Sequence, residues 1–268
     1  MNSIKPLFLI KLGGSLITDK TKPYTARFET ITRLAKEIHQ AREEGEFGLI
    51  VGHGGGSFPH TSAKKYQTQD GVIDDESYKG MAVVQHEAGA LNRIIVGELI
   101  KSGERAISFQ PSTLCLTKGG EIVYWFMDPL KKILEFDMLP VPYGDVGIDL
   151  EKGCSIISTE ELLCYLAKNL DAKKVIMCGN VDGVLSGDYK NPLSKVIPVI
   201  TPGNFEDIKK HLGGSDGTDV TGGMLMKVEK SLNLTKFGFE VQIINGDVPG
   251  NLLKALKGEQ IGTIIKSD

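Results

Sequence analysis

Lysines beside glycine-rich turns are the residues of this sequence that could do chemistry. Lys11 ends an apolar run and is followed by Gly13, Gly14 and Ser15. A lysine at the end of a buried strand is costly unless its ammonium has an anionic partner. Two glycines also leave backbone N–H groups open to a phosphate. The pattern therefore indicates a phosphate site, although a tight turn with a lysine reaching solvent explains the same residues.

A second turn, Gly52–His60, has the sequence GHGGGSFPH, with four glycines in its first five positions. Each glycine raises the entropic cost of ordering the turn, so such a run is expected where the backbone wraps an anion. The turn matches neither the Walker pattern nor the dinucleotide fingerprint, where Ser57 would have to be glycine. His60 is interpreted either as a capping or core histidine or as a donor to the phosphate of an acceptor.

Two further motifs lie in the second half of the chain. In Asp219–Lys227, Thr221 or Asp219 could cap a helix whose glycines open it to phosphate, with Lys227 one turn in on the same side. Helix N-termini favour acids, so a lysine there indicates an anion between it and the helix. In NVDGV, Asp182 and Gly183 suit a bare turn or a purine site, and both interpretations stay open. Together with Lys20, the motifs supply three lysines for a triphosphate.

Composition excludes several classes of protein. The chain has 268 residues, 41% of them hydrophobic and 24% charged, with a formal net charge of −3. These values argue against disorder and against nucleic-acid binding. The N-terminal apolar stretch is too short for a signal peptide or membrane span, so we expect no membrane association and a cytoplasmic protein. No metal site built from side chains is predicted, because the cysteines are widely spaced: Cys115, Cys154, Cys164 and Cys178.

Short apolar runs alternate with longer amphipathic stretches, which predicts an α/β fold with a mainly parallel sheet covered by helices. One compact domain is expected, with a hairpin turn at residues 151–153 marking a soft boundary between two lobes. The predicted strands are Leu7–Leu12, Phe47–Gly52, Ala106–Gln110, Leu139–Tyr143, Lys174–Cys178 and Glu240–Ile244, and the predicted helices include Phe28–Glu44, Gly89–Lys101, Glu160–Asn169 and Met224–Lys236.

An ordered set of motifs runs from residue 7 to about residue 250. It comprises KLGGSLITDK, GHGGGSFPH followed by AKKY, QPS, YGDV, NVDGV and DVTGGM-x-x-K. This set resembles the isopentenyl phosphate kinases, a branch of the amino acid kinase superfamily. Lys20 and His60 resemble that branch's second lysine and its phosphate-binding histidine. A fosfomycin-phosphorylating branch is similar at both positions and remains a neighbour.

The resemblance implies an αβα sandwich with an acceptor lobe at about residues 1–155 and a nucleotide lobe at about residues 156–268. It also implies ATP-dependent phosphorylation of isopentenyl phosphate with Mg²⁺, by a homodimer. Lys11 and Lys227 would flank the β- and γ-phosphates, and Lys20 would stabilise the transferring phosphoryl group. The remaining implied roles are nucleotide binding by Gly13, Gly14, Ser15, Gly56, Asp182, Gly183 and Gly223, and acceptor binding by Gly55, His60 and Gly144.

Two departures from the family pattern lie close to these residues. Glu160 stands in a Ser-Thr-Glu-Glu segment where the family has Ser-Gly-Asp, and that aspartate generally organises the active-site lysines. A capping box from Ser158 to Glu161 is the structural interpretation of the same segment. Pro59 replaces a glycine and stiffens the turn before His60. The departures keep other small-molecule kinases open, acting on a phosphonate, an amino acid or a carbamate, and also a non-catalytic metabolite-binding regulator.

The tail of the acceptor should lie in an apolar pocket lined by the helices after His60. Met81, Val84, Ala88 and Leu91 have a suitable helical spacing for this role. Packing in the protein core explains the same four residues equally well.

Overall fold

The structure is a computed structural model that describes residues 5–187, 193–212 and 220–268. Side chains of residues 211, 212 and 220–223 lie outside the description. Within the described part of the chain, no helix is long and apolar enough to cross a bilayer. The elements in chain order are β1 (Leu7–Leu12), α1 (Gly14–Ile17), α2 (Phe28–Glu44), β2 (Gly48–His53), α3 (His60–Lys65), α4 (Asp75–Lys101), β3 (Ala106–Phe109), β4 (Cys115–Lys118), β5 (Glu121–Trp125), α5 (Asp128–Glu135), β6 (Leu139–Pro142), β7 (Asp145–Asp149), β8 (Gly153–Ile157), α6 (Thr159–Asn169), β9 (Lys174–Gly179), β10 (Val199–Ile200), α7 (Pro202–Leu212), α8 (Val220–Thr235), β11 (Glu240–Asn245), α9 (Asn251–Leu256) and β12 (Thr263–Ile265).

The main sheet of the described residues has the strand order β10–β12–β11–β9–β1–β2. All its pairings are parallel except β11 with β12. A parallel bridge between His53 and Tyr143 places the β3–β6 pair beside β2. The carboxyl ends of β1, β2 and β9 therefore lie next to one another, which is where ligands bind in open α/β sheets.

Helices cover both faces of this sheet. Along β1, Ile10 and Leu12 face a core cluster shared with α2, α4 and α9, whereas Leu7 and Leu9 face a second cluster shared with α5, α6 and α8. This alternation is the period of two that a strand buried on both faces requires. The αβα sandwich implied by the resemblance is confirmed.

A second, four-stranded sheet has the order β5–β4–β7–β8. It was not predicted, apart from the turn at residues 151–153, which joins the antiparallel strands β7 and β8. The buried Asp149 side chain joins the β4–β5 turn to the β7–β8 turn by accepting from the N–H groups of Gly120, Glu151 and Lys152. This sheet packs on α4 and places Ile156 in the lining of the cavity described in the next subsection.

The six predicted strands are present with ends shifted by no more than one residue, and α2 has the predicted bounds. The predicted start of the next long helix at Gly89 is wrong, because α4 begins at Asp75. Asp74 caps it by accepting from the N–H of Ser77, whose hydroxyl in turn accepts from the N–H of Asp74. The division into an acceptor lobe and a nucleotide lobe stays a prediction.

The two glycine-rich turns touch each other. A Cβ on Gly14 would lie 2.6 Å from the backbone nitrogen of Gly56, and a Cβ on Gly56 would lie 2.2 Å from Thr18 Oγ1. The φ angle of Gly56 is +56°, a conformation that favours glycine. Thr18 Oγ1 donates to the Gly14 carbonyl at 2.7 Å and accepts from the Ser57 N–H at 2.9 Å. Glycine is therefore required at both turns by close approach of the backbone.

Replacing Gly56 with alanine should destabilise the fold more than a positive φ angle alone would. The matched control is Gly258→Ala, because Gly258 has a φ of +89° and its added Cβ would meet no atom within 4 Å. We expect a loss of about 1 kcal/mol at Gly258 and a further 1–3 kcal/mol, roughly, at Gly56 from overpacking. Urea unfolding measures both free energies. Equal losses would show that the two turns are not interlocked.

Candidate functional site

One large cavity lies at the carboxyl ends of β1, β2 and β9, with a volume of about 1460 Å³. Pockets for a single small ligand usually have volumes of about 300–1,000 Å³. The cavity extends from the glycine-rich turns across the start of α6 to α8. It can therefore hold two small ligands side by side.

Most of the predicted site residues line this cavity. They are Lys11, Gly13, Gly14, Ser15, Lys20, Gly55, Gly56, His60, Gly144, Glu160 and Lys227. Asp182 and Gly183 do not line it. The Asp182 carboxylate accepts from Asn245 Nδ2 at 2.7 Å, and Gly183 packs against Thr263. Gly223 lies outside the residues whose surroundings are described.

The backbone N–H groups of the glycines differ in what they can bind. The Gly13 N–H donates to the Cys178 carbonyl at 2.8 Å, and the Gly144 N–H donates to the His53 carbonyl at 3.0 Å. The expectation that Gly13 supplies a backbone donor to the nucleotide is therefore wrong for this conformation. Among the described residues, the N–H groups of Gly55 and Gly56 donate to no protein acceptor, which leaves them available to an anion.

Glu160 reaches the lysine at the end of β1. Its Oε1 accepts from Lys11 Nζ at 2.5 Å, across 149 residues of sequence. The Ser158 side chain accepts from the Glu161 N–H at 3.1 Å and caps α6, so Glu160 lies in the first helical turn. Only this half of the predicted capping box is present, because the Glu161 carboxylate accepts from the backbone of Ile122. A carboxylate in that position is also favoured by the helix dipole. The longer side chain thus does not prevent contact with Lys11.

Two influences on the pKa of Glu160 act in opposite directions. Burial favours the neutral acid, but the ion pair and hydrogen bond with Lys11, with help from Lys227 and Lys230, hold the pKa of Glu160 below its usual value. Glu160 is therefore ionised at neutral pH and offsets part of the positive charge at this end of the cavity. Lys230, which also lines the cavity, was not predicted. Its spacing of three from Lys227 on one helix face could have indicated it.

His60 is the first residue of α3 and follows Pro59 directly. Burial and the nearby charge of Lys20 lower the pKa of its imidazole. At neutral pH the free protein thus presents a neutral imidazole, which can donate one hydrogen bond to an anion. Pro59 packs on the preceding turn, since a Cβ on Gly55 would lie 2.4 Å from Pro59 Cγ. Proline therefore adds a requirement for glycine at position 55.

A second histidine, His53, is completely buried under the glycine-rich turn. Burial lowers its pKa to about 4, so the ring is neutral at physiological pH. Its Nδ1 lies 3.1 Å from the Gly54 carbonyl and its Nε2 lies 3.1 Å from Asn92 Nδ2. The amide nitrogen of Asn92 can only donate, so His53 Nε2 accepts from it, and His53 Nδ1 carries the proton and donates to the Gly54 carbonyl. His53 thus fixes the peptide that leads into Gly55 and Gly56.

Apolar side chains line the cavity beyond His60. They come from three elements: Ala63 on α3, Val84 and Ala88 on α4, and Ile156 on β8. Two of the four predicted pocket residues line the cavity and two do not. Val84 and Ala88 line the cavity, whereas Leu91 is fully buried in the core and Met81 packs against the small cluster of Val84, Val146 and Cys154.

Comparison with known proteins shows the family to which this chain belongs. The model of the Amino acid kinase family matches residues 6–245. A relative named isopentenyl phosphate kinase from Methanocaldococcus jannaschii is 35% identical over 97% of this chain and 98% of its own length. One of the same name from Methanothermobacter thermautotrophicus is 34% identical over 95% and 97%. The fold and the site define a small-molecule kinase. The chain belongs to the amino acid kinase family.

Solved structures show the same fold. A structure described as isopentenyl phosphate kinase superposes with a TM-score of 0.82 at 32% identity, covering 97% of this chain and 100% of its own. A carbamate kinase from Giardia lamblia superposes with a TM-score of 0.72 at 17% identity, covering 98% of this chain and 99% of its own. The second likeness concerns the fold alone.

Replacing Glu160 with glutamine should lower stability in a pH-dependent way. A carboxyl group with a lowered pKa stabilises the fold above its unfolded pKa of about 4.3, and that contribution disappears as pH falls through the folded pKa. Because both partners are partly exposed, we expect the free energy of unfolding to fall by no more than about 1 kcal/mol at pH 7. The difference between the variant and the original protein should disappear in acid. Urea unfolding from pH 7 down to about pH 3 measures it.

Glu161→Gln is the matched control for this experiment. Burial raises the pKa of Glu161, so its ionised form opposes folding and its replacement should not destabilise the protein at pH 7. A Glu160→Gln deficit that persists unchanged in acid would contradict a role for its charge.

Proposed function

We propose that this protein transfers the γ-phosphoryl group of ATP to isopentenyl phosphate, giving isopentenyl diphosphate and ADP. The observation that carries the proposal is one cavity holding Lys11, Lys20, Lys227 and His60 next to an apolar pocket. The relatives whose names specify this activity cover nearly the whole chain at 30–35% identity. The names of these relatives indicate the substrate, and the lysines, the histidine and the apolar lining of the cavity suit that substrate.

The charges of the site fit the nucleotide at one end. Lys11 and Lys227 would bind the β- and γ-phosphates, and Lys20 would stabilise charge on the transferring phosphoryl group. Before the triphosphate binds, the ion pair with Glu160 holds the Lys11 ammonium in the cavity. The triphosphate would then compete with Glu160 for Lys11. Phosphoryl transfer is governed by positioning and charge neutralisation, which is what this arrangement offers.

The other end fits a short phosphorylated hydrocarbon. His60 and the N–H groups of Gly55 and Gly56 would hold the acceptor phosphate. Ala63, Val84, Ala88 and Ile156 would surround its apolar tail. The acceptor phosphate is itself nucleophilic near neutral pH, so the reaction needs no protein base.

Magnesium would enter as the complex with ATP. Among the residues described, no group of three or more His, Cys, Asp or Glu side chains is placed to hold a metal ion. Mg²⁺ commonly keeps several waters and binds through substrate phosphates with one or two carboxylates. The ion would add charge neutralisation on the phosphates. A homodimer and a cytoplasmic location belong to the same proposal.

A coupled ADP-release assay with a panel of acceptors tests the proposal. We expect turnover with isopentenyl phosphate, and slower or no turnover with fosfomycin, acetylglutamate and carbamate. Faster turnover with fosfomycin would make the protein a phosphonate kinase. Absence of turnover with every acceptor, despite ATP binding, would favour a non-catalytic regulator and overturn the proposal.

Replacing His60 with alanine should mainly impair use of the acceptor. Loss of a hydrogen bond to a charged phosphate costs roughly 2–4 kcal/mol, which corresponds to a fall of about thirtyfold to a thousandfold in kcat/KM for isopentenyl phosphate. The KM for ATP should change little. Steady-state kinetics measure both, with His86→Ala as control because His86 is exposed on α4 and outside the cavity. Equal effects of the two replacements would contradict the assignment.

A further inference from the structure

A buried carboxylate lies just behind the proposed acceptor site and has no part in the mechanism above. Glu87, on α4, is only 8% exposed. Its Oε1 accepts from Ser62 Oγ at 2.8 Å and also from the Tyr24 hydroxyl. Its Oε2 is buried and has no hydrogen-bond partner among the described residues. Burial of a carboxylate is costly when one of its oxygens has no hydrogen-bond partner. The presence of Glu87 at this position therefore needs an explanation.

The two partners of Glu87 belong to the two segments that carry Lys20 and His60. Ser62 lies two residues after His60 on α3, and Tyr24 lies four residues after Lys20. Lys20 sits in a hairpin closed by an antiparallel bridge between Thr18 and Ala26. One oxygen of Glu87 therefore joins the hairpin, α3 and α4 at a single point.

The backbone of Tyr24 adds an independent observation. Its φ angle is +51°, in the left-handed region that side chains other than glycine rarely adopt. Such conformations persist where surrounding contacts enforce them, and they cluster at functional sites. Here the Tyr24 ring packs edge-on against the buried Phe58, and its N–H donates to the Ser57 carbonyl at 3.2 Å. The strained backbone thus directs the hydroxyl to Glu87.

We propose that Glu87 is a positioning residue that holds the hairpin carrying Lys20 in register with the helix beginning at His60, through Tyr24 and Ser62. Lys20 acts on the transferring phosphoryl group and His60 on the acceptor, so this register sets the alignment of the two substrates. The expected change in kcat rests on the proposed function, whereas the expected shift of the hairpin relative to α3 does not.

Tyr24→Phe is the sharpest variant, because it removes only the hydroxyl and keeps the ring on Phe58. We expect kcat for isopentenyl phosphate to fall about tenfold to a hundredfold, since small misplacements of reacting groups cost that much. The KM for ATP should stay within about twofold, because the nucleotide-binding lysines are untouched. Tyr78→Phe, at an exposed position on α4, is the control and should leave kcat unchanged.

Variants at Glu87 test the carboxylate itself. Glu87→Ala removes both bonds, whereas Glu87→Gln keeps one acceptor oxygen and should restore part of kcat. Glu98→Ala is the matched control on the same helix, because Glu98 is 6% exposed and binds Thr32 and Lys101. A comparable fall in kcat in Glu98→Ala would mean that loss of helix packing, and not register, explains the effect.

Titration of His60 by NMR tests the register without any substrate. Burial and the charge of Lys20 both lower the pKa of His60 in the free protein, whereas Lys64 lies on the same helix as His60 and moves with it. If the hairpin shifts in Tyr24→Phe, the His60 pKa should rise, with its signal assigned by its loss in His60→Ala. An unchanged His60 titration would overturn the proposal, whatever the kinetics. A raised pKa in a protein inactive on isopentenyl phosphate would support the register and refute only the substrate.

Discussion

Several lysines lie close together at the carboxyl ends of the strands and repel one another. The Lys11–Glu160 ion pair supplies the negative charge that offsets this repulsion. Lys11 lies one residue before the end of β1, between β9 and β2 in the main sheet, and Lys227 and Lys230 approach the same carboxylate from α8. Without Glu160 these like charges would repel one another across a partly buried cavity. The cap at Ser158 places Glu160 in the first turn of α6, where a negative charge is favoured. In the proposed reaction, an incoming triphosphate would replace the carboxylate as the partner of the lysines.

The end of the cavity proposed to bind the acceptor is organised by hydrogen bonds between neutral groups and by close backbone contacts. Thr18 joins the two glycine-rich turns, neutral His53 holds the peptide before Gly55, and Pro59 packs on Gly55. Gly55, Gly56 and His60 all line the cavity, and the N–H groups of the two glycines donate to no acceptor among the described residues. Fixed donors of this kind suit an anion whose position must be held closely for in-line transfer. In the proposed reaction, one end of the cavity would act through charged lysines and the other through fixed neutral donors.

Local pattern was enough to predict β1, α2 and the turns around them, because periodicity and glycine content are properties of neighbouring residues. Contacts between distant residues could not be predicted in this way. The sequence does not show that the Cys178 carbonyl takes the Gly13 N–H, or that Asp182 turns to Asn245. The start of α4 was missed because its cap is an Asp–Ser pair, and the second sheet because its strands are short and partly polar. The Glu160 contact was left open, since only the fold shows that the longer side chain reaches Lys11.

The central claim is that phosphoryl transfer occurs here by alignment and charge neutralisation, with the acceptor phosphate as its own nucleophile. The most direct measurement is kcat/KM against pH for isopentenyl phosphate and for its phosphonate analogue, whose second pKa is higher. The account predicts an acid limb near the second pKa of the phosphate, about 6, that moves to higher pH with the phosphonate. A limb that stays at the same pH for both acceptors, and disappears when a cavity residue is replaced, would show that a protein base takes the proton and would contradict the account.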